Sequence, residues 1–429
     1  MKVSQIGLIS KKITKLDELY PVQDMLMQTG QVDQFCSGIY AYGHIPYLVL
    51  QNIKKVISDC LTKYGCTEIS LPLMQPEAIW EESGRLKKYV DDGVMFRCLT
   101  DKGNYCLAPT AEEAVVAYAK KRNISYKQLP VTYFQIGEKF RNEIRTRGYL
   151  LRGKSFVMMD AYSFGRSKEE LSHDYENMKK AYLDIFAKLG LNVIPVGADS
   201  GAIGGSKSEE FMCLSNFGED TVYFEPESGK AFNSELLERD DYEKYLDTTY
   251  GIKNTSNLEK RKAVELGHIF CLGTKYSEAM NGNFINEEGV NKNYIMGCYG
   301  IGVSRTLAMV YENSAIYKDG KFSGIVLPES INPYKLHIVA KTDDAKKLDL
   351  ANNLYTKLNE KGLNVLYDDR EEVSIGAKIK DSKMLGARYL LVMGNTLDDG
   401  FVELENNETL EKEKVSLENL EETLINLIK

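Results

Sequence analysis

Residues 138–154 of this 429-residue chain hold six cations, Lys139, Arg141, Arg145, Arg147, Arg152 and Lys154, against two anions, Glu138 and Glu143. The segment is therefore locally +4 in a chain whose formal net charge is −8, a contrast that asks for an anionic partner. A guanidinium presents a planar fork of donors matched to two phosphate oxygens, and it stays charged at every relevant pH. The flanking residues read as two antiparallel strands, one carrying Tyr133, Gln135 and Phe140, the other running from Ser155 to Met159. Arg141 and Arg152 are thus expected on strands, and Arg145 and Arg147 in the loop between them. Phe156 is placed to stack on a flat ring and Glu143 to accept hydrogen bonds from an amine. Such a hairpin would hold a nucleoside triphosphate without a glycine-rich loop; a solvated hairpin whose charges keep an edge soluble is the plainer alternative.

Three other strings carry chemistry. In N-Y-C-L-A-P-T-A-E-E-A-V-V, residues 104–116, strand passes through a turn into helix. There Thr110 can cap the helix, with Glu112 and Glu113 favoured by the dipole of its first turn. In E-L-G-H-I-F-C-L-G-T-K-Y-S-E, residues 265–278, Glu265 and His268 bracket a buried strand. In M-G-C-Y-G-I-G-V-S-R-T-L-A-M-V, residues 296–310, a strand rich in glycine leads into a helix with Arg305 near its start. Gly297, Gly300 and Gly302 leave room for a ligand or another backbone to come close.

The elements that must position these residues follow from periodicity. Pro46 suits the first turn of a helix, and Leu48, Ile53, Val56, Ile57, Cys60, Leu61 and Tyr64 continue it at helical spacing to Gly65. A short strand, T-E-I-S-L-P-L, follows and is interrupted at Pro72. Residues 167–190 form an amphipathic helix with Leu171, Met178, Tyr182, Ile185, Phe186 and Leu189 on its core face. From about residue 326 the chain becomes a compact α/β alternation, with strands at LHIVAK, NVLYDD and RYLLVMG and helices over 343–360 and 374–386.

Bulk composition fits a globular protein of two or more domains, with 43% hydrophobic and 27% charged residues. The sequence contains no apolar run of membrane-spanning length, and its start is too polar for a secretory signal, so a cytoplasmic location and no membrane partner are expected. Eight cysteines without a C-x-x-C pair and four dispersed histidines argue for reduced thiols rather than a zinc cluster. Overall acidity argues against indiscriminate nucleic-acid coating, and no DNA partner is expected.

The order F-R-N-E, basic loop, R-G-K-S-F, D-A-Y-S-F resembles motif 2 of the class II aminoacyl-tRNA synthetases, and in detail that of prolyl-tRNA synthetases. Helix, strand and proline over about 46–73 resemble motif 1, and residues 296–310 resemble motif 3. The strings P-E-A-I-W-E-E-S-G-R, P-T-A-E-E and V-G-A-D-S-G-A-I-G-G-S-K-S-E-E-F are similar to the prolyl enzyme. Glu209 stands where that family often has histidine, and it is assigned no catalytic weight. The likeness covers residues 1–222 and 263 to the end. Residues 224–262 form a short insert where many bacterial members carry a large editing domain, so this looks like a short form without that module.

The resemblance implies an antiparallel-sheet catalytic domain flanked by helices over 1–325 and a C-terminal α/β anticodon-binding domain over 326–429. It also implies the reaction: proline and ATP give prolyl-adenylate, and the prolyl group passes to the 3′ end of tRNA(Pro). In that reading Arg141 bridges the α-phosphate and the attacking carboxylate. Arg152 and Arg305 bind the outer phosphates with Mg2+, Phe156 stacks on adenine, and Glu143 meets its amino group. Glu265 places the metal, His268 touches the nucleotide, and Thr110, Glu112 and Phe270 form the proline pocket. Arg145 is assigned to the acceptor end of tRNA, with Asp368 and Arg370 toward the anticodon beside Lys378, Lys380 and Lys383. A homodimer through motif 1 and a separate protein that clears mischarged tRNA are further expectations. A synthetase-like regulatory or tRNA-binding protein without catalysis is the alternative.

Overall fold

The computed structural model describes residues 1–9, 13, 15–342 and 344–428, which fall into two compact units, Lys54–Thr306 and Met1–Ile53 together with Leu307–Lys429. No helix of the described residues is long and apolar enough to cross a membrane.

The Lys54–Thr306 unit is organised by a nine-stranded sheet. Its middle order is Glu259–Gly273, Ile295–Gly302, Ser155–Gly165 and Val131–Phe140, all antiparallel, with the two-residue edge strand Thr67–Glu68 added in parallel. The basic segment is thus the loop of the Val131–Phe140 and Ser155–Gly165 hairpin. The return strand runs six residues beyond Met159 because Met159 to Gly165 are buried on both faces, which removes the alternation that marks a half-exposed strand. Arg141 and Arg152 depart from expectation. Arg141 follows the last strand residue, Phe140, and Arg152 forms only an isolated bridge with Arg147 in the loop. Behind the sheet lies the helix Lys168–Lys188, capped by the Ser167 hydroxyl, which accepts from the Glu170 amide. Its buried Tyr182 and Phe186 meet Phe211 of the strand Lys207–Leu214 at ring separations of 4.9 and 6.3 Å.

In the other unit, three parallel strands, Val365–Asp368, Leu336–Ala340 and Tyr389–Met393, continue into antiparallel Phe401–Asn406 and Lys412–Ser416. The helix expected from 343 starts at Ala345, with Asp344 accepting the amides of Lys346 and Lys347; Asp343 lies outside the described residues. The acidic tail does not merely float, since Leu420, Leu424 and Ile428 of its helix join the core of this sheet. Residues 1–53 are grouped with this unit. The N-terminal ammonium donates to Val365 O at 2.9 Å and Gln31 Nε2 to Met384 O at 2.9 Å.

Two buried acids make stability measurable. Lys139 and Asp160, each almost fully buried, meet at 2.6 Å between Nζ and Oδ1. Lys139→Met should destabilise the protein by about 3–5 kcal/mol, because it strands a buried carboxylate; urea unfolding at constant pH reads this directly. Glu312 accepts from the Gln23 amide at 3.1 Å, and burial pushes its carboxyl from 4.5 up to about 7. The folded state then holds a proton that the unfolded chain releases, so this contribution is full below about pH 4.5 and disappears as pH rises through 7. Glu312→Gln should flatten the fall in unfolding midpoint between pH 4.5 and 8.

Candidate active site

One face of the nine-stranded sheet carries a cavity of about 330 Å³ lined by Thr110, Glu112, Arg141, Glu143, Arg152, Phe156, Glu210, Glu265, His268, Phe270, Cys298, Gly300 and Arg305, among others. All thirteen lie on five segments far apart in sequence, 110–112, 141–156, 210, 265–270 and 298–305.

At the hairpin mouth, Arg141 is steadied where it leaves the strand. Its backbone amide donates to Lys154 O at 3.0 Å and its Nε to Pro109 O at 3.1 Å, with the guanidinium 5.3 Å from the Phe156 ring centre. Its remaining donors stay available to a ligand with two oxygens. Arg152 lies 3.7 Å from Glu143 and 3.4 Å from Glu219.

The acidic wall depends on a β-bulge. In regular strand geometry Glu265 and His268, three residues apart, would face opposite ways. The register between strands Lys207–Leu214 and Glu259–Gly273 jumps, Phe211 opposing Gly267 and Met212 opposing Glu265. The extra residue, Leu266, turns Glu265 to the side of His268. Glu210 opposes His268 directly, so an oxygen of each carboxylate and a nitrogen of the imidazole all lie within 4.8 Å of one another. His268 Nδ1 is 3.3 Å from Glu265, and its ring stacks on Phe270 at 3.9 Å. Arg305 NH1 donates to Glu265 Oε2 at 2.9 Å and to its backbone O at 2.8 Å.

These contacts split the acids electrostatically. Burial works to raise the Glu265 carboxyl, but His268 and Arg305 hold it down at about 2. Glu210 is pushed well above the ordinary range by burial and by Glu265, although Asn233 donates to it, and Asp220 is raised to about 6 by burial and the same neighbour. Adjacent carboxylates disfavoured for want of positive charge fit a hard divalent cation such as Mg2+, which takes oxygen ligands. The imidazole suits that ion poorly and serves to orient Glu265.

At the opposite end, Glu112 is fully buried. It receives the Thr110 hydroxyl at 2.7 Å and Arg85 NH1 at 3.1 Å on Oε2, and the Cys298 thiol at 3.2 Å on Oε1. Burial favours its neutral form, yet Arg85 and Thr110 hold its carboxyl below the ordinary value. Thr110 does not cap the helix; Ala111 occupies the cap position, and no side chain fills that role.

The structure therefore brings together all the sequence-nominated cavity residues: Thr110, Glu112, Arg141, Glu143, Arg152, Phe156, Glu265, His268, Phe270 and Arg305. Arg145 is not among the lining residues; it lies exposed in the loop beside Ile144. Asp368 belongs to the five-stranded unit and is fully buried, which corrects its nomination as a tRNA contact. Its oxygens take Arg370 Nε at 2.8 Å and NH2 at 2.5 Å, and Asp381 fixes the same guanidinium at 2.9 Å. Lys378 is buried too, donating to Asp368 O at 3.0 Å. Glu209 points away from Glu210 and pairs with Lys179 at 2.7 Å. Sequence reading assigned no role to Arg85, Glu210, Cys298 or residues 199–203, of which all but Arg85 line the cavity. Alternation from His268 across a neighbouring strand could have flagged Glu210, but only with the register in hand.

A sheet of this topology with paired arginines and acids at its face defines a class II aminoacyl-tRNA synthetase. The model of the tRNA synthetase class II core domain (G, H, P, S and T) matches residues 96–314, and that of the anticodon binding domain matches 335–427. The proline–tRNA ligase of Sulfurimonas denitrificans is 34% identical over 444 residues, covering 100% of both chains, and that of Ehrlichia chaffeensis is 36% identical, covering 97% of this chain and 98% of its own. The crystal structure of prolyl-tRNA synthetase from Cryptosporidium parvum with halofuginone and AMPPNP superposes with a TM-score of 0.71 at 16% identity, covering 95% of this chain and 76% of that one. The chain belongs to the proline–tRNA ligase family, as a short form.

Gly300 tests the cavity. A Cβ there would meet nothing nearer than His268 O at 4.0 Å, so a methyl group fits the fold and enters ligand space. Gly300→Ala should leave the melting temperature within about 3 °C and weaken ATP binding at least tenfold by calorimetry.

Proposed function

We propose that this chain activates L-proline with ATP and transfers the prolyl group to the 3′ end of tRNA(Pro), through the residues gathered in the cavity. The observation that carries this assignment of roles is a single cavity with an ionised, buried carboxylate at one end, Glu112, and the guanidinium groups of Arg141, Arg152 and Arg305 at the other. Proline brings a secondary ammonium to the first and its carboxylate toward the second.

Thr110 and Glu112 hold the ammonium, and Phe270 lines the ring pocket. Arg141 bridges the proline carboxylate and the α-phosphate, so that the carboxylate attacks phosphorus and pyrophosphate leaves without a protein nucleophile. Catalysis rests on positioning and on charge stabilisation in a site whose donors are already oriented. Phe156 stacks on adenine while Glu143 accepts from its amino group. Arg152 and Arg305 take the outer phosphates, leaving their present partners Glu143, Glu219 and Glu265, and His268 contacts the nucleotide. Mg2+, held by Glu265 with Glu210, neutralises phosphate charge when bound.

Arg145 meets the acceptor end of tRNA and Arg370, set by Asp368 and Asp381, meets the anticodon arm. Residues 1–325 act as the catalytic part and 326–429 as the anticodon-binding part. The protein works in the cytoplasm as a homodimer and relies on a separate protein to clear tRNA charged with alanine or cysteine.

The test is ATP–pyrophosphate exchange with each of the twenty amino acids supplied separately, without tRNA. Strong exchange with proline and a trace with alanine or cysteine is expected. Arg141→Ala should lower proline exchange by about 10²–10³-fold. Folded protein that binds ATP but exchanges with no amino acid would instead point to a non-catalytic tRNA-binding protein.

A further inference from the structure

Arg85 lies behind Glu112, outside the cavity lining, and has no role in the reaction as described above. It is 6% exposed, and its guanidinium sits among three rings, 4.6 Å from the centre of Tyr89, 5.1 Å from Tyr276 and 5.2 Å from Trp80. NH1 is shared between Glu112 Oε2 and Glu113 Oε1, each at 3.1 Å, and NH2 donates to the Tyr89 hydroxyl. Glu113 is fixed in turn by the Ser83 hydroxyl at 2.8 Å.

We infer that Arg85 is a positioning residue for amino-acid selection: caged by aromatic rings, it keeps Glu112 anionic and so makes the pocket prefer a cationic amine over a neutral isostere. This inference rests on the reading of Glu112 as the ammonium site. The aromatic faces attract a cation and fix the plane of the guanidinium, and the guanidinium cannot deprotonate. Among the described residues no other full positive charge pairs with Glu112; its remaining side-chain partners there are the Thr110 hydroxyl and the Cys298 thiol. A fully buried carboxyl without a cation takes up a proton instead of staying charged, and a protonated Glu112 would offer an ammonium no charge.

The groups facing Glu112 define what a pH measurement would report. From its own helix comes Glu113, raised to about 7 by burial, with Arg85 opposing the shift. From neighbouring elements come Tyr89, Tyr162, Tyr276 and Cys298, all raised by burial, and Lys275, lowered by it. The phenols and the thiol stay neutral at pH 6–8, whereas Glu113 titrates inside that range and competes for the same NH1, so the native profile carries the Glu113 step and Arg85 is the cation in contact with both carboxylates.

The experiment is proline-dependent pyrophosphate exchange by Arg85→Gln and Arg85→Lys between pH 6 and 8.5, with cyclopentanecarboxylate as the nitrogen-free competitor. Arg85→Gln should raise the proline KM about 10- to 100-fold, the range for a lost hydrogen bond to a charged group. Its kcat/KM for proline should climb with pH more steeply than that of the native enzyme, while ATP KM and cyclopentanecarboxylate inhibition stay within twofold. Arg85→Lys, which keeps the charge and loses the fork, should show a smaller rise in KM and the native pH profile. An unchanged proline KM in a folded variant, a loss equal at every pH, or an equal loss for the competitor would overturn the inference. If Arg85→Gln fails to fold, Arg85→Lys decides alone: a proline-specific rise in KM supports the role, and native behaviour refutes it. Native protein that does not exchange proline would overturn the functional reading itself, an outcome the unsubstituted enzyme separates from the others.

Discussion

The catalytic unit depends on one buried carboxylate. Asp160 accepts Lys139 Nζ at 2.6 Å, Gln135 Nε2 at 2.9 Å and the Tyr162 hydroxyl at 3.0 Å. Gln135 Oε1 accepts the Leu71 amide at 3.0 Å, and the Tyr162 oxygen accepts the Ala111 amide at 3.0 Å. These bonds join the end of the first motif, both strands of the phosphate hairpin and the loop before Glu112. A buried pair gains little over an apolar replacement of both partners, while loss of one partner is severe. Its value here is geometric, because Asp160 also lines the cavity, and moving it would move Thr110 relative to Arg141.

The cavity also satisfies its own charges before any ligand arrives. Arg305 pairs with Glu265, and Arg152 with Glu143 and Glu219. Side chains of these groups are between 23% and 39% exposed, where ion pairs contribute only about 0–1 kcal/mol. They can therefore be exchanged for phosphate and metal at small cost. Arg85 with Glu112 is the opposite case. Both are almost fully buried, so that pair is not exchanged; it is fixed equipment. Under the proposed roles, one end of the site rearranges around a nucleotide and the other stays as it is around an amine.

Much of this was legible in the sequence, for physical reasons that also mark the limits. The helix after Pro46 and the hairpin around the arginines declared themselves through period and turn, which depend on neighbours in sequence; the helix runs His44–Lys63. Glu265 and His268 were found by family likeness, yet their common facing comes from a bulge that no periodicity announces. Arg85 stood in the string S-G-R without distinction, because only tertiary packing places three rings about it. Thr110 had the right residue type for a cap and a stronger acceptor two residues on. Asp368 reads as an exposed charge in Y-D-D-R, whereas the sheet buries it under Arg370 and Lys378.

The segment in place of an editing domain has a share in the pocket. Its Tyr250 hydroxyl lies 3.1 Å from Ala198 O and 2.7 Å from Ser208 O, and Tyr245 donates to Ser206 O at 3.4 Å. The Tyr250 ring covers Gly197, where a Cβ would come within 2.9 Å of it. Both ends of the cavity-lining loop around Gly201 are thus held by this segment. A pocket with fixed walls still distinguishes apolar side chains of similar size by only about 1–3 kcal/mol per methylene, whereas a buried charge left without its partner is penalised more heavily. With Glu112 as the proposed ammonium site, the architecture reads the ammonium sharply and the ring weakly. Smaller amino acids carry the same ammonium, so in that reading the charge set by Arg85 and Glu112 cannot exclude them, and their rejection falls to the apolar wall proposed around Phe270.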